Sequence, residues 1–366
     1  MKKIELTAAF ALSGALIVGA GCDEKKATPT TASATASATA SAAPPAKLTL
    51  PHDLGQMPIP ADNPQTDAKV KLGHQLFFDK RLSKDGSRSC YSCHMNENGN
   101  GGKEPLAIGA EEKPLTRHSP TIWNVGYLGA LYWDGRAASL EAQAIGAWSG
   151  GNMGVGKDNL EKKAKEIEKI AEYKKQFAEV FPKEGVTPDT IAKAISAYER
   201  TLVCDDTAYD KYAKGDEKAL NAEQVKGLEL FMGKAGCSVC HTPAFFSSAY
   251  GVKEGVYFNV GIGTKDKKEE DVDVGRKKIS EKDPDWAAFK VPTLRNISKT
   301  APYFHDGSAA TLEDAVRFMA GGGQKNKNLT PVLTDKKLDD GEIKSLVAFL
   351  GALDCGKTLE EPELPK

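Results

Sequence analysis

The chain has 366 residues, 49 Lys and Arg against 50 Asp and Glu, a formal net charge of -1 and 40% hydrophobic residues. A balance this close to neutral leaves no electrostatic footprint for nucleic acid. The length suffices for about two domains of ordinary size.

The chain opens with Met1-Lys2-Lys3 and an apolar stretch from Leu6 to Ala20 that is too short and too rich in small residues to span a bilayer. It reads as a signal peptide over residues 1–22, ending at Cys22. Val18-Gly19-Ala20-Gly21 before Cys22 resembles a lipoprotein processing site, although Gly19 stands where leucine is more usual, so lipidation of Cys22 and simple cleavage both stay open. The expected location is the periplasm, with membrane contact only through an N-terminal lipid. Residues 23–47 are dominated by Ala, Thr, Ser and Pro, which have nothing to bury, and they read as a flexible tether.

Two copies of C-x-x-C-H follow, Cys90-Tyr91-Ser92-Cys93-His94 and Cys237-Ser238-Val239-Cys240-His241. Two thiols at this spacing add to the two vinyl groups of one haem, and the adjacent histidine falls under the iron as its proximal ligand. Zinc sites built from C-x-x-C pairs need no histidine after each second cysteine, and a thioredoxin-like pair needs a βαβ context that is missing. The chain is therefore expected to carry two covalent haem c groups, on Cys90, Cys93 and His94 and on Cys237, Cys240 and His241. Of the seven cysteines, Cys204 and Cys355 remain once these four and Cys22 are set aside. An even remainder in an oxidising compartment predicts that they pair.

Periodicity is helical throughout, and no segment alternates with period two, so the expected fold class is all-α. Leu160, Ala164, Ile167, Ile170 and Ala171 share one helical face, and Ile191, Ile195, Tyr198 and Leu202 another behind Thr187-Pro188. Asn221 with Gln224 forms a capping box leading toward the second haem motif, and Ile343, Leu346, Val347 and Leu350 mark a last helix. Thr311 and Asp314 cap a helix whose apolar face is Leu312, Ala315, Val316 and Met319. The expected organisation is two cytochrome c-like haem domains in tandem, 48–212 and 213–356, with a tail over 357–366.

An internal repeat supports that division. Pro120-Thr121-Ile122-Trp123-Asn124 is echoed by Pro292-Thr293-Leu294-Arg295-Asn296, and Gly135-Arg136-Ala137-Ala138-Ser139-Leu140-Glu141 by Gly307-Ser308-Ala309-Ala310-Thr311-Leu312-Glu313. Met319 lies twelve residues past Gly307 and suits a second axial iron ligand, which raises the potential for electron transfer. The same step from Gly135 reaches Ala147, which cannot coordinate iron. The His94 haem is thus expected to keep an open position, and the His241 haem to be closed by Met319.

With these residues assembled, the chain resembles the bacterial dihaem cytochrome c peroxidases and their MauG-like relatives from about Asp67 to Leu353. The resemblance runs through Leu72-Gly73, Leu76-Phe77-Phe78-Asp79, Trp133-Asp134-Gly135-Arg136, Glu199-Arg200-Thr201-Leu202 and Ala301-Pro302-Tyr303-Phe304-His305-Asp306-Gly307. It implies reduction of hydrogen peroxide to water at the His94 haem, with electrons from a small cytochrome c or a cupredoxin entering at the His241 haem. It also implies that Met319, where the MauG-like branch has tyrosine, is an iron ligand, and that Trp133 relays electrons between the haems. Gln143 matches the family's distal glutamine.

Three positions depart from the family. Ala110 stands where many relatives have a histidine that closes the peroxidatic iron, with Glu111 and Glu112 beside it as other groups that could reach the metal. Asn152, before Met153, replaces the glutamate that moves a proton during peroxide cleavage, and an amide cannot take up that proton. Thr300 and Pro302 match the carbonyl ligands of the family's calcium ion, but His118 stands in place of its asparagine, and calcium prefers oxygen.

Among the other side chains, His52 and His74 are expected at the surface, His305 at a haem edge, and Arg136 and Arg295 beside haem propionates. The readings carried forward are the peroxidase, a MauG-like oxidase of a protein tryptophan, and a dihaem electron carrier without peroxide chemistry. No motif decides the oligomeric state, and a homodimer is one option.

Overall fold

The computed structural model describes residues 50–366; the signal peptide, Cys22 and the tether lie outside the described residues. Helices dominate: α1 Asp67–Phe78, α2 Leu140–Ser149, α3 Leu160–Glu168, α4 Ala171–Val180, α5 Pro188–Glu199, α6 Ala208–Ala213, α7 Ala222–Met232, α8 Lys277–Ser280, α9 Leu312–Ala320 and α10 Asp340–Gly351. The all-α expectation needs one correction, a two-stranded antiparallel ribbon of β1 Tyr257–Phe258 and β2 Phe289–Lys290. Two residues per strand are too few to produce a visible alternation.

The capping signals behave as read. Thr187 and Asn221 each form a reciprocal capping box, with Thr190 and Gln224, at the starts of α5 and α7, and Thr311 accepts from the Asp314 amide at the start of α9. The apolar face running from Leu160 to Ala171 is split instead between two helices. Ile170 leaves the helical conformation and caps α4, so its side chain packs from a bend.

Two of the four core clusters among the described residues are large. One gathers Leu72, Leu76 and Phe77 of α1 with Ile191, Ala194 and Ile195 of α5 and the aromatics Tyr173 and Phe177 of α4. The other gathers Leu228 and Phe231 of α7 with Leu346, Phe349 and Leu350 of α10. Each has the same device at its centre. A Cβ on Gly73 would fall 1.8 Å from the Ala194 carbonyl oxygen, and one on Gly227 2.0 Å from that of Ser345. Only glycine lets α1 cross α5, and α7 cross α10, at backbone contact.

The sequence repeat is equally a backbone repeat. Asn124 and Asn296 are both left-handed, as are Tyr132 and Phe304, and Gly135 and Gly307. Bridges Leu131 to Ala137 and Tyr303 to Ala309 close the same turn in each copy. The copies also meet reciprocally: the His118 amide donates to the His305 carbonyl at 2.7 Å, and the Lys290 amide to the Trp133 carbonyl at 2.8 Å. These four positions are two pairs of equivalents, 172 residues apart, so the bonds exchange across a local pseudo-twofold axis.

The predicted Cys204–Cys355 disulfide is formed, across 151 residues, and it obeys the same pseudosymmetry. The Asn124 side chain accepts from the Cys204 amide at 2.8 Å, and that of Asn296 from the Cys355 amide at 3.1 Å. Beyond Cys355 the segment expected as a tail packs on the first cluster. Leu359 is buried there, Arg81 donates to the Pro365 carbonyl, and Gln75 to that of Glu363. His74, half-buried, joins this clamp, bonded to the Glu360 carbonyl and stacked on Tyr198 at 4.5 Å. His52 is half-buried, its Nδ1 bonded to the Leu50 carbonyl.

Among the described residues no helix is long and apolar enough to cross a membrane.

Candidate haem site

One large cavity, about 1360 Å³, brings the predicted site residues together. His94, His241, Trp133, Gln143, Asn152, Met319, Thr300 and Pro302 all line it, and so does His305. Its wall is mainly apolar, supplied by residues such as Leu131, Val291, Leu294 and Leu350, as suits a large planar hydrophobic group.

Each histidine is set up in the same way. His94 Nδ1 lies 3.3 Å from the Asn100 carbonyl, and His241 Nδ1 3.1 Å from that of Phe246. A carbonyl only accepts, so Nδ1 carries the proton and Nε2 keeps its lone pair for a metal. Burial pushes both imidazoles down to about 4, which keeps them neutral, the ligating form. The Cys90 and Cys93 thiols, and those of Cys237 and Cys240, are raised by burial, and no protein disulfide consumes them. Short turns, Tyr91–Cys93 and Cys237–Val239, place each pair beside its histidine. These residues fit two covalent haem groups: the cavity is large and apolar, and two neutral histidines face it with free Nε2 atoms.

The distal positions differ between the copies. Met319 lies on α9 in the cavity wall. Ala147, its equivalent on α2, is not part of that wall among the described residues, although Gln143 one turn earlier and Asn152 after the helix are. Ala110 is buried, its amide directed at the Gly151 and Asn152 carbonyls, and brings only a methyl group. Glu111 pairs with Lys84 and Lys113, and Glu112 with Arg88, at the surface; neither lines the cavity.

Trp133 stands at the junction of the copies. Its Nε1 donates to the His118 carbonyl at 2.8 Å. Its ring meets His305 edge-on at 6.4 Å, and His305 stacks on Phe289 at 3.7 Å. His305 is mostly enclosed and held down to about 4 by that enclosure, so it is a neutral aromatic spacer. Arg117 bridges Asp134 and Asp273 at 2.7 Å each, tying the two copies beneath Trp133.

The two arginines part company. Arg136 lines the cavity over the Tyr132 ring, paired to Asp134, and remains available to a propionate. Arg295 is fully buried away from the cavity, bidentate on Asp210 at 2.7 and 2.8 Å and bonded to the Ala244 carbonyl, which overturns the propionate reading. Its carboxylate partner was hidden in an unremarkable helix start. A cation that sequence reading missed is Lys290, which lines the cavity and is lowered to about 8 by burial. As the repeat equivalent of His118, it could have been singled out from the alignment of the two copies.

Thr300 and Pro302 line the cavity, and so does His118, the residue that departs from the family's calcium set. His118 Nδ1 is bonded to the Glu104 carbonyl, and an imidazole replaces the expected side-chain oxygen. Among the described residues no cluster of three or more His, Cys, Asp or Glu could hold a metal ion.

Comparison with known proteins agrees with this site. The sequence model of a family described as "Di-haem cytochrome c peroxidase" matches residues 67–218. The cytochrome-c peroxidase IdrP1 of Denitromonas iodatirespirans is 35% identical over 335 residues, covering 85% of this chain and 89% of the relative. The methylamine utilization protein MauG of Methylorubrum extorquens is 33% identical over 314 residues, covering 84% of this chain and 85% of the relative. The crystal structure of a MauG-like protein associated with microbial copper homeostasis superposes with a TM-score of 0.78 at 31% identity, covering 86% of this chain and 97% of that one. A pair of neutral, cavity-facing C-x-x-C-H histidines and likenesses over more than four-fifths of the chain lead to one conclusion: the chain belongs to the dihaem cytochrome c peroxidase family, oxidoreductases that act on peroxide and carry two haem c groups.

Proposed function

We propose that the chain is a periplasmic dihaem peroxidase that reduces hydrogen peroxide to water with electrons from a small cytochrome c or cupredoxin. The observation that carries this reading is the asymmetry of one shared cavity: Met319 faces it on one side, and its equivalent, Ala147, offers no ligand on the other. In two tandem modules, Cys90, Cys93 and His94 hold one haem, and Cys237, Cys240, His241 and Met319 hold the other. When bound, the pair supplies one iron with a position open to peroxide and one closed iron that passes electrons.

Each side chain then has a task. Trp133, anchored to His118 and edge-on to His305, spans the junction that electrons cross. Gln143 and Asn152 bring amides to the cavity that His94 lines, where they would donate hydrogen bonds to peroxide and orient it. Cys22, by lipidation or cleavage, sets whether the exported chain stays at the membrane.

The experiment is electron paramagnetic resonance of the oxidised holoprotein, followed by peroxide turnover with a reduced small cytochrome c. One high-spin and one low-spin signal with steady turnover is the expected result. Two low-spin signals, or no turnover, defeat the reading. A second reading, a MauG-like oxidase of a protein tryptophan, is favoured by the superposition on a MauG-like structure. Peroxide-driven oxidation of a partner protein in place of the small cytochrome would establish it. Haem reduction without any peroxide chemistry would leave the third reading, a simple electron carrier, for which Asn152 speaks.

A further inference from the structure

We propose that Glu199 carries the proton for chemistry on the His94 side of the cavity, in place of the carboxylate absent at Asn152. This deepens the peroxidase reading and rests on it.

Glu199 is the last residue of α5 and lines the cavity together with His94, Gln143 and Asn152. It is 6% exposed, and its Oε2 is buried without a hydrogen-bond partner. A buried carboxyl oxygen left unpaired has given up its hydration for nothing in return. The fold does not require that cost. The crossing glycines pair Ala194 with Ser345 as equivalents, so the position of Glu199 is filled in the second copy by Leu350, which lines the other side of the cavity. An acid where the twin manages with leucine, in the cavity wall and near enough to act on Cys90, marks a functional group.

The seam between α2 and α5 sets its surroundings. Arg200, its neighbour, turns away to pair with Glu141 of α2 at 2.8 Å. Two residues further along α2 is Gln143, whose carbonyl accepts from the Tyr132 hydroxyl at 3.1 Å. The groups that feel Glu199 electrostatically are therefore Arg200, Glu141, Tyr132, Tyr198 and Cys90, with His74 of α1 behind Tyr198. Burial is the strongest influence on Glu199; Arg200 counters it and Glu141 reinforces it, so the carboxyl rises to about 8, where it can both accept and return a proton.

The step balances as follows. The Glu199 carboxylate takes the proton from one peroxide oxygen and returns it to the other, so the O–O bond breaks with water as the leaving group. The haem held by His94 would supply the place that retains the other oxygen until two electrons from the donor and two protons from solvent release it as the second water. Glu199 ends in the form in which it began.

Cyanide tests this without turnover, because hydrogen cyanide also sheds its proton to a neighbouring base as it binds the oxidised holoprotein. In the wild type the association rate rises as pH passes about 8, since the carboxylate is the base. Glu199→Gln, which keeps shape but not basicity, and Glu199→Leu, the twin's residue, slow association about 100-fold and remove that rise. Asn152→Glu placed in the Glu199→Gln chain restores part of the rate. Unchanged rates and pH profiles in both variants overturn the proposal. Should the variants not fold, a wild-type rate that stays flat from one pH unit below 8 to one above overturns it as well. A wild type that fails to turn over peroxide yet shows Glu199-dependent cyanide binding defeats the peroxidase reading and leaves this one standing.

Discussion

Asp210 and Arg295 form an ion pair with both side chains at 0% exposure, joined by bonds of 2.7 and 2.8 Å. Replacing Asp210 by alanine leaves the guanidinium buried with only the Ala244 carbonyl as acceptor. An uncompensated buried charge costs about 3–5 kcal/mol, a fall of roughly two to nearly four decades in the folded-to-unfolded ratio. The damage should reach the haem motif, because Arg295 and Thr293 hold the carbonyls of Ala244 and Phe245, and the next carbonyl, Phe246, orients His241. Urea unfolding of the oxidised holoprotein, followed by circular dichroism and haem absorbance, measures both effects. The double replacement of Asp210 and Arg295 by leucine should recover most of the loss, since it removes both desolvation costs. A D210A penalty below about 1 kcal/mol, or a double variant as unstable as the single one, would refute the reasoning. The pH sign also follows. Burial raises the Asp210 carboxyl, but Arg295 and Thr207 outweigh it and hold it below the usual range. The pair's contribution is therefore complete above the ordinary carboxylate pKa and lost as pH falls through the lower folded value.

Three further outcomes are expected. Replacing Cys204 and Cys355 by serine releases a loop of 151 residues, worth about 5 kcal/mol in the chain-entropy account, and a reduced, denatured sample should show the two thiols that the native protein hides from alkylation. Alanine at Gly73 or Gly227 drives a methyl group into a facing carbonyl, so each should cost at least about 1–3 kcal/mol by calorimetry, the opposite sign to glycine replacement on an open helix. Trp133→Phe removes the bond to His118, worth about 1 kcal/mol, and should lower kcat for donor oxidation with little change in KM for peroxide.

Much of this arrangement is legible in the chain because its signals are local. A C-x-x-C-H run specifies its own chemistry, a capping box satisfies itself within four residues, and a repeat compares the chain with itself. What escaped depends on distant partners. Nothing near Arg295 announces Asp210, so a fully buried cation looks like a surface arginine free for a propionate. The last ten residues look like a tail because Leu359 and Leu364 are isolated between prolines and charges. Their burial depends on a surface made by α1, and the disulfide delivers them to it. The α3–α4 bend escaped for a different reason: the apolar spacing runs through it unbroken, and only the extended backbone at Ile170 ends the helix.

The local pseudo-twofold axis separates what the two halves of the site share from what they do not. Elements that build the junction are duplicated: the left-handed Asn124 and Asn296, the reciprocal amide bonds, and the crossing glycines. Elements that touch the cavity are where the copies diverge. Ala147, just outside the wall, faces Met319 in the alignment, and among the wall residues Gln143 faces Ala315, Trp133 faces His305, His118 faces Lys290 and Glu199 faces Leu350. Gln143 and Glu199 give the first copy an amide and a carboxyl where the second has Ala315 and Leu350, and the second brings the Met319 thioether and the Lys290 cation. A duplicated frame requires each copy to keep its backbone turns, since a change there would break bonds in both halves at once. Side chains directed into the shared cavity answer to no such constraint, and one copy can become a chemical site while the other becomes an electron port. Exchanging one such pair, Ala147→Met with Met319→Ala, should therefore leave unfolding almost unchanged and move the high-spin signal from the His94 haem to the His241 haem. If the exchange unfolds the protein, or leaves the signals where they were, the cavity residues are not separable from the frame.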